Sequence, residues 1–294
     1  MKNIKLLSCS AFLVFSLFSC NKIDCPYENG CDEDKDTTTT VITTDTIVRK
    51  ILLEEYTGHQ CGNCIVGAEE GQNLHDIYKD QLILMTIHAG GFAETNVDYP
   101  NDYTTISGDD YFTTFAVWGN PTATISRSDT TDDQYVLGKA QWGQTVEVLS
   151  NTEPKLNVKL NLEYNSSTRV LDATATSVFL KTVNKDLFLV LCIVEDSIIG
   201  DQKNYAVSAG GSANWPEGHL TNYVHRHMLR DNINGSWGSQ IVTSSISEGD
   251  STVNDYTYTI NGAWDDNQCS VIAFVYDQAT NEIFQAEEAH VVSH

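Results

Sequence analysis

The chain changes character at residues 151–154, "NTEP", and that change limits its fold more than any other feature. Upstream, apolar runs alternate with stretches of helical spacing. Residues 46–56 ("TIVRKILLEEY") and 81–89 ("QLILMTIHA") read as buried strands, and "NPTATISR" as a third, opened by Pro121. Between them "NCIVGAEEGQNLHDIYKDQ" reads as a helix with Ile65, Ala68, Leu74 and Ile77 near one face. "SGDDYFTTFAV" reads as a short helix capped by Ser107, and "DDQYVLGKAQWGQTVEVLSN" as a closing helix. Strands alternating with helices imply an α/β layer with a partly parallel sheet. Downstream, "KLNVKLNLEY" alternates at nearly strict period two, and further strand-like runs follow between Asn, Asp, Ser and Gly turns. That is the pattern of an all-β, immunoglobulin-like sandwich. Residues 199–240 interrupt it and read as a long Gly-rich loop with several histidines and two tryptophans. The expected domains are 46–152 (α/β) and 153–294 (β-sandwich).

The chain begins with Lys2 and Lys5, then an uncharged apolar run from Leu6 to Phe18. This run is short for a membrane span and reads as an export signal over residues 1–19. "LFSC" resembles a bacterial lipobox, which implies cleavage before Cys20, lipidation of that cysteine and a membrane tether. Residues 20–45 are acidic and Thr-rich, too poor in apolar side chains to fold alone. Within them Cys25 and Cys31 either close a small loop or stay as thiols. No later segment is apolar and long enough to cross a membrane. A formal net charge of −23 argues against nucleic acid as a partner.

The chemistry centres on "EEYTGHQCGNC", residues 54–64. A strand, a C-x-x-C pair and a helix in that order place Cys61 where unpaired N–H groups and the helix dipole stabilise a thiolate. Cys64 lies one turn further in, placed to resolve a mixed disulfide. Nearby His59 reads either as an aid to the thiolate or as an exposed loop histidine. The arrangement resembles the thioredoxin fold. "FAVWGNPTATI" adds the segment in which that family carries a cis-proline beside its dithiol, here Pro121. The resemblance also implies a buried acid at Glu55 as proton acceptor for Cys64; otherwise Glu55 is a solvated strand-end carboxylate. Glu54 alternates to the opposite side of the strand. Gln60 stands where the family usually has an aromatic residue, and Ile65 where proline often follows.

The pieces "EEYTGHQCGNC", "HAGGFAE", "FAVWGNPTATISR", "YVHRHMLRD" and "VIAFVYDQATNEIFQAEEAHV" together resemble the outer-membrane-protein-28-related lipoproteins. The resemblance implies an outer membrane lipoprotein with a thioredoxin-like first domain, at the periplasmic face or the cell surface. C-x-x-C is also half of many zinc sites, but no second one exists, and His225 and His227 on one strand face suit packing as well as a metal. No metal or cofactor is therefore expected. Cys192 and Cys269, each on an apolar strand, either form a sandwich disulfide or are buried thiols. Two functions follow. One is a thiol–disulfide oxidoreductase using Cys61, Cys64, Glu55 and Pro121 on envelope protein thiols. The other is a surface binding or adhesion lipoprotein in which the C-x-x-C disulfide is structural.

Overall fold

The computed structural model describes residues 47–129 and 134–292. The signal segment, the tether and Cys20, Cys25 and Cys31 lie outside them. The first half runs β1 (Ile51–Thr57), α1 (Cys64–Tyr78), β2 (Leu82–His88), α2 (Ile106–Thr114), β3 (Thr122–Ile125), β4 (Val136–Gly138) and α3 (Trp142–Ser150). Two expectations are corrected here. The cap of α2 is Thr105, whose side chain accepts the Gly108 N–H at 2.9 Å, and not Ser107. The stretch expected as one closing helix is a short strand followed by α3. Gly138 ends the strand, and the fully buried Trp142 anchors the helix start by donating Nε1–H to Leu137 O at 3.1 Å.

The second half comprises β5 (Leu156–Asn165), β6 (Val170–Phe179), β7 (Leu187–Glu195), β8 (Ile198–Asn204), β9 (Gly218–His225), β10 (Met228–Asn232), β11 (Ser239–Val242), β12 (Ser251–Thr259), β13 (Cys269–Asp277) and β14 (Ile283–His290). The structure is mostly β, with few helices. Residues 199–240 are not a long loop: they hold most of a two-stranded hairpin, β8–β9, and two strands of the main sheet. Their turn-forming and polar residues hide the strands, since the buried positions of β8 are Gly200, Gln202 and Asn204 and give no apolar period.

One sheet runs β14-β13-β7-β10-β2-β1-β3-β4, with β11 added on β7. β1 and β2 pair in parallel, and β10 joins β2 through Met228 and Thr86. Strands from both sides of residues 151–154 thus share one sheet. β7 and β13 are buried on both faces, which explains their unbroken apolar runs. One face meets the three-stranded sheet β12-β6-β5 through Leu189, Leu191, Val271 and Ala273. The other face, with Val190, Ile272 and Phe274, continues under Leu52, Tyr56, Met85 and the α2 residue Tyr111. On the far side of β1 and β2, Ile51, Leu53 and Leu84 pack with Leu74 of α1 and Trp142 of α3. Each such aliphatic side chain contributes about 1.5–3 kcal/mol by leaving water. No helix among the described residues is long and apolar enough to cross a membrane.

Candidate functional site

β1 delivers the two glutamates to opposite sides, as strand alternation requires. Glu54 is fully buried beneath the sheet, where Arg127 donates Nη2–H to Oε1 at 2.6 Å and Nε–H to Oε2 at 2.9 Å, and Thr124 Oγ1–H donates to Oε2 at 2.7 Å. The chain leaving β3 passes through two left-handed residues, Ser126 (φ 47°) and Arg127 (φ 45°). The guanidinium lies 4.4 Å from the Tyr111 ring centre and 4.9 Å from that of Phe274.

Glu55 faces the other way, toward α1. It is 3% exposed, its Oε1 has no hydrogen-bond partner, and burial raises its pKa to about 8. The helix approaches so closely that a Cβ at Gly67 would stand 2.5 Å from Glu55 Oε1 and 2.6 Å from Pro121 Cβ. The Asn120–Pro121 bond is cis. Cys61 and Cys64 form a disulfide at the start of α1, with Cα atoms 5.4 Å apart. The first turn of α1 carries no acidic residue to offset the helix dipole. The structure thus brings Cys61, Cys64, Glu55 and Pro121 to one end of α1.

This end is covered. Hairpin β8–β9 lies over the residue 58–62 turn, where Gln202 donates Nε2–H to Cys61 O at 2.9 Å. The Lys203 N–H donates to His59 O at 2.8 Å, and the Tyr205 N–H to Gly62 O at 2.9 Å. A Cβ at Gly62 would overlap the Tyr205 ring, so only glycine lets the hairpin sit this close. The turn beyond β8 is fastened to α1, since Ser212 Oγ–H and Asn214 Nδ2–H both donate to Glu69 Oε1, at 2.6 and 2.9 Å. Both cysteines are 2% exposed as a result.

Behind the hairpin, His59, His88 and His225 pack with Tyr99 and Tyr103. His59 stacks on Tyr99 at 5.3 Å, and His88 lies 5.2 Å from Tyr103 and 5.3 Å from His225. His59 is fully buried, its Nε2 2.9 Å from Glu94 O, so it is not an exposed loop residue. Burial drives the His88 pKa well down, with His225 and His59 adding to the effect. Burial also takes His225 down to about 4. His225 and His227 do not share a strand face: β9 ends at His225, and His227 (φ 51°) turns toward Asp196, 3.7 Å away. No group of three metal-binding side chains occurs among the described residues. A cavity of about 420 Å³ lies between α1, β2 and β9, lined by Glu55, Cys64, His88 and Tyr223.

The outer membrane protein Omp28 family matches residues 108–293. The chain belongs to the Omp28 family. This membership places it at the outer membrane. The family match begins within α2, so it takes in Pro121 and the hairpin but not the cysteine pair. Among solved structures, HBP35 of Porphyromonas gingivalis shares the fold with a TM-score of 0.62, at 17% identity over 83% of this chain and 76% of that one. A domain of the outer membrane lipoprotein Omp28 from Porphyromonas gingivalis is similar at 18% identity over 47% of this chain and 88% of that one, with a TM-score of 0.31. A comparison with curated proteins gives no match.

In this Omp28-family chain Cys192 and Cys269 are free buried thiols. Cys192 pairs with Ile272, three residues from Cys269, so their side chains leave opposite faces of the sheet. Burial pushes the Cys269 thiol up to about 12 and Cys192 higher still, which leaves neither reactive. In native protein neither thiol is expected to react with iodoacetamide over hours. Mass spectrometry after denaturation should then find both labelled. Sequence reading passed over Gln202, Tyr205, Tyr223 and Arg127; for Arg127 the only available signal was a lone arginine directly after a buried strand.

Proposed function

We propose that this outer membrane protein carries a thioredoxin-like thiol–disulfide exchange unit on an immunoglobulin-like sandwich, tethered by a lipid on Cys20. The observation that carries this reading is Glu55, a buried carboxyl without a partner, held between Gly67 and Pro121 and sharing one cavity with Cys64. Burying such a group costs stability, and a proton-handling role gives a reason to keep it. In the reducing direction, Cys61 thiolate attacks a substrate disulfide and forms a mixed disulfide, releasing one substrate thiolate. Cys64 loses its proton to Glu55 in its ionised form, attacks Cys61 Sγ and releases the second substrate thiolate. Two electrons pass from the dithiol to the substrate, and the Cys61–Cys64 bond closes. The oxidising direction runs these steps backward, with Glu55 returning its proton to Cys64. The hairpin must separate from the residue 58–62 turn for Cys61 to meet a protein substrate.

Trapping with Cys64→Ser in the native envelope tests this reading: mixed disulfides through Cys61 are expected. If none form, and Cys61 in the reduced protein alkylates no faster than an ordinary thiol, the exchange reading fails. Glu69→Ala removes both hydrogen bonds that fasten the hairpin turn to α1, each worth about 1 kcal/mol. The disulfide of that variant should be reduced by dithiothreitol about tenfold faster than wild type. An unchanged rate would show that the hairpin does not control access.

The 2% exposure of both cysteines favours a second reading, a surface-binding protein in which the disulfide is a staple. There the double variant Cys61→Ser/Cys64→Ser loses about 2 kcal/mol of stability and keeps its binding.

A further inference from the structure

The cavity between α1, β2 and β9 has about 420 Å³ of space and walls of mixed character. Ile65, Leu84, Trp215 and Val224 make most of it apolar. Two polar atoms on its lining side chains, Glu55 Oε1 and His88 Nδ1, are buried and have no hydrogen-bond partner. Buried polar atoms in folded proteins nearly always find a partner, so two unpaired ones beside one cavity point to something that enters it. We propose that this cavity binds a small, uncharged, mostly apolar molecule whose polar end, a hydroxyl or amide, meets Glu55 and His88. The proposal goes beyond redox chemistry at the cysteines, and its ligand shares Glu55 with that chemistry.

The walls select against charge. Burial keeps Glu55 mostly protonated at neutral pH and His88 and His225 neutral, and the charged groups that also line the cavity are already engaged, Glu69 by Ser212 and Asn214 and Arg226 by Asp196. A protonated carboxyl and a neutral imidazole can both donate and accept, which suits a hydroxyl or amide. Half-buried Gln72 and Glu69 and exposed Arg226 also line the cavity, and they mark its way in from solvent.

Two dyes of matched skeleton test this on the full-length protein. Uncharged N-phenyl-1-naphthylamine is expected to show a saturable fluorescence increase at one molecule per chain. Its sulfonated analogue, 1-anilinonaphthalene-8-sulfonate, should bind at least about tenfold more weakly. Ala68→Phe, which fills the cavity from α1, should weaken the uncharged dye at least about tenfold, while Val148→Phe on exposed α3 surface leaves it unchanged. Circular dichroism and thermal unfolding confirm that both variants fold. If Ala68→Phe does not fold, Trp215→Phe is used, and the quenching of tryptophan emission by bound dye should fall. No saturable binding, unchanged binding in folded Ala68→Phe, unchanged quenching in Trp215→Phe, or equal binding of the sulfonate overturns the proposal.

Discussion

Arg127→Met is expected to lower the free energy of unfolding by about 3–5 kcal/mol, read from the midpoint of urea denaturation. The size follows from what remains. Glu54 sits at 0% exposure with Arg127 as its cation, and without the guanidinium, which packs on Tyr111 and Phe274, its carboxylate is left uncompensated in the core. Methionine keeps much of the volume, so the loss is electrostatic and not a cavity. The control is Glu54→Leu/Arg127→Met. Removing both charges takes away the uncompensated ion, and most of the lost stability should return. If the double variant is no more stable than the single one, the left-handed backbone at Ser126 and Arg127, and not the ion pair, governs this corner.

The second large effect has the opposite sign. Glu55 titrates near 4.5 when unfolded and near 8 when folded. Between those values the folded state holds a proton that the unfolded state has released. Stability therefore falls as pH rises from 4.5 to about 8 and is level beyond that. At pH 7 the cost is about 3 kcal/mol. Glu55→Gln removes it. The variant should be more stable than wild type by up to that amount at pH 7, with little difference at pH 4.5, so the two stability–pH curves diverge with rising pH. Curves that stay parallel would mean that Glu55 ionises normally in the fold. The same variant should slow the step in which Cys64 attacks the mixed disulfide by about 10²-fold, because no carboxylate then takes its proton.

Much of this layout could be read from residue pattern, and the misses share a cause. Period and length identified β1, β2, α1 and the half-exposed strands β5 and β6, whose alternation is visible residue by residue. Opposite facing of Glu54 and Glu55 followed from strand geometry alone. What stayed hidden depended on residues far apart in the chain. The partner of Glu54 is 73 positions away, and nothing local to Arg127 announces a buried ion. The cover over the cysteines comes from Gln202 and Tyr205, on a hairpin whose first strand buries Gly200, Gln202 and Asn204 and so shows no apolar period. Cys192 and Cys269 were candidates for a bond only while the register of β7 on β13 was unknown; an odd offset of three residues sends them to different layers. The apolar residues of β4 continue the spacing of α3, so pattern alone does not separate the strand from the helix.

The single rung between Met228 of β10 and Thr86 of β2 has a practical consequence. It seats β2, the strand next to β1, which leads into the cysteine pair, against a strand contributed from the other side of residues 151–154. A fragment ending at 152 would leave β2 as a bare apolar edge, the kind of surface on which chains join one another. Such a fragment should associate and not report on the cysteines as they sit in the whole protein. Heat or urea should melt residues 46–294 in one transition. For any transplant of the dithiol onto another scaffold, the smallest unit to move is therefore the sheet, hairpin included.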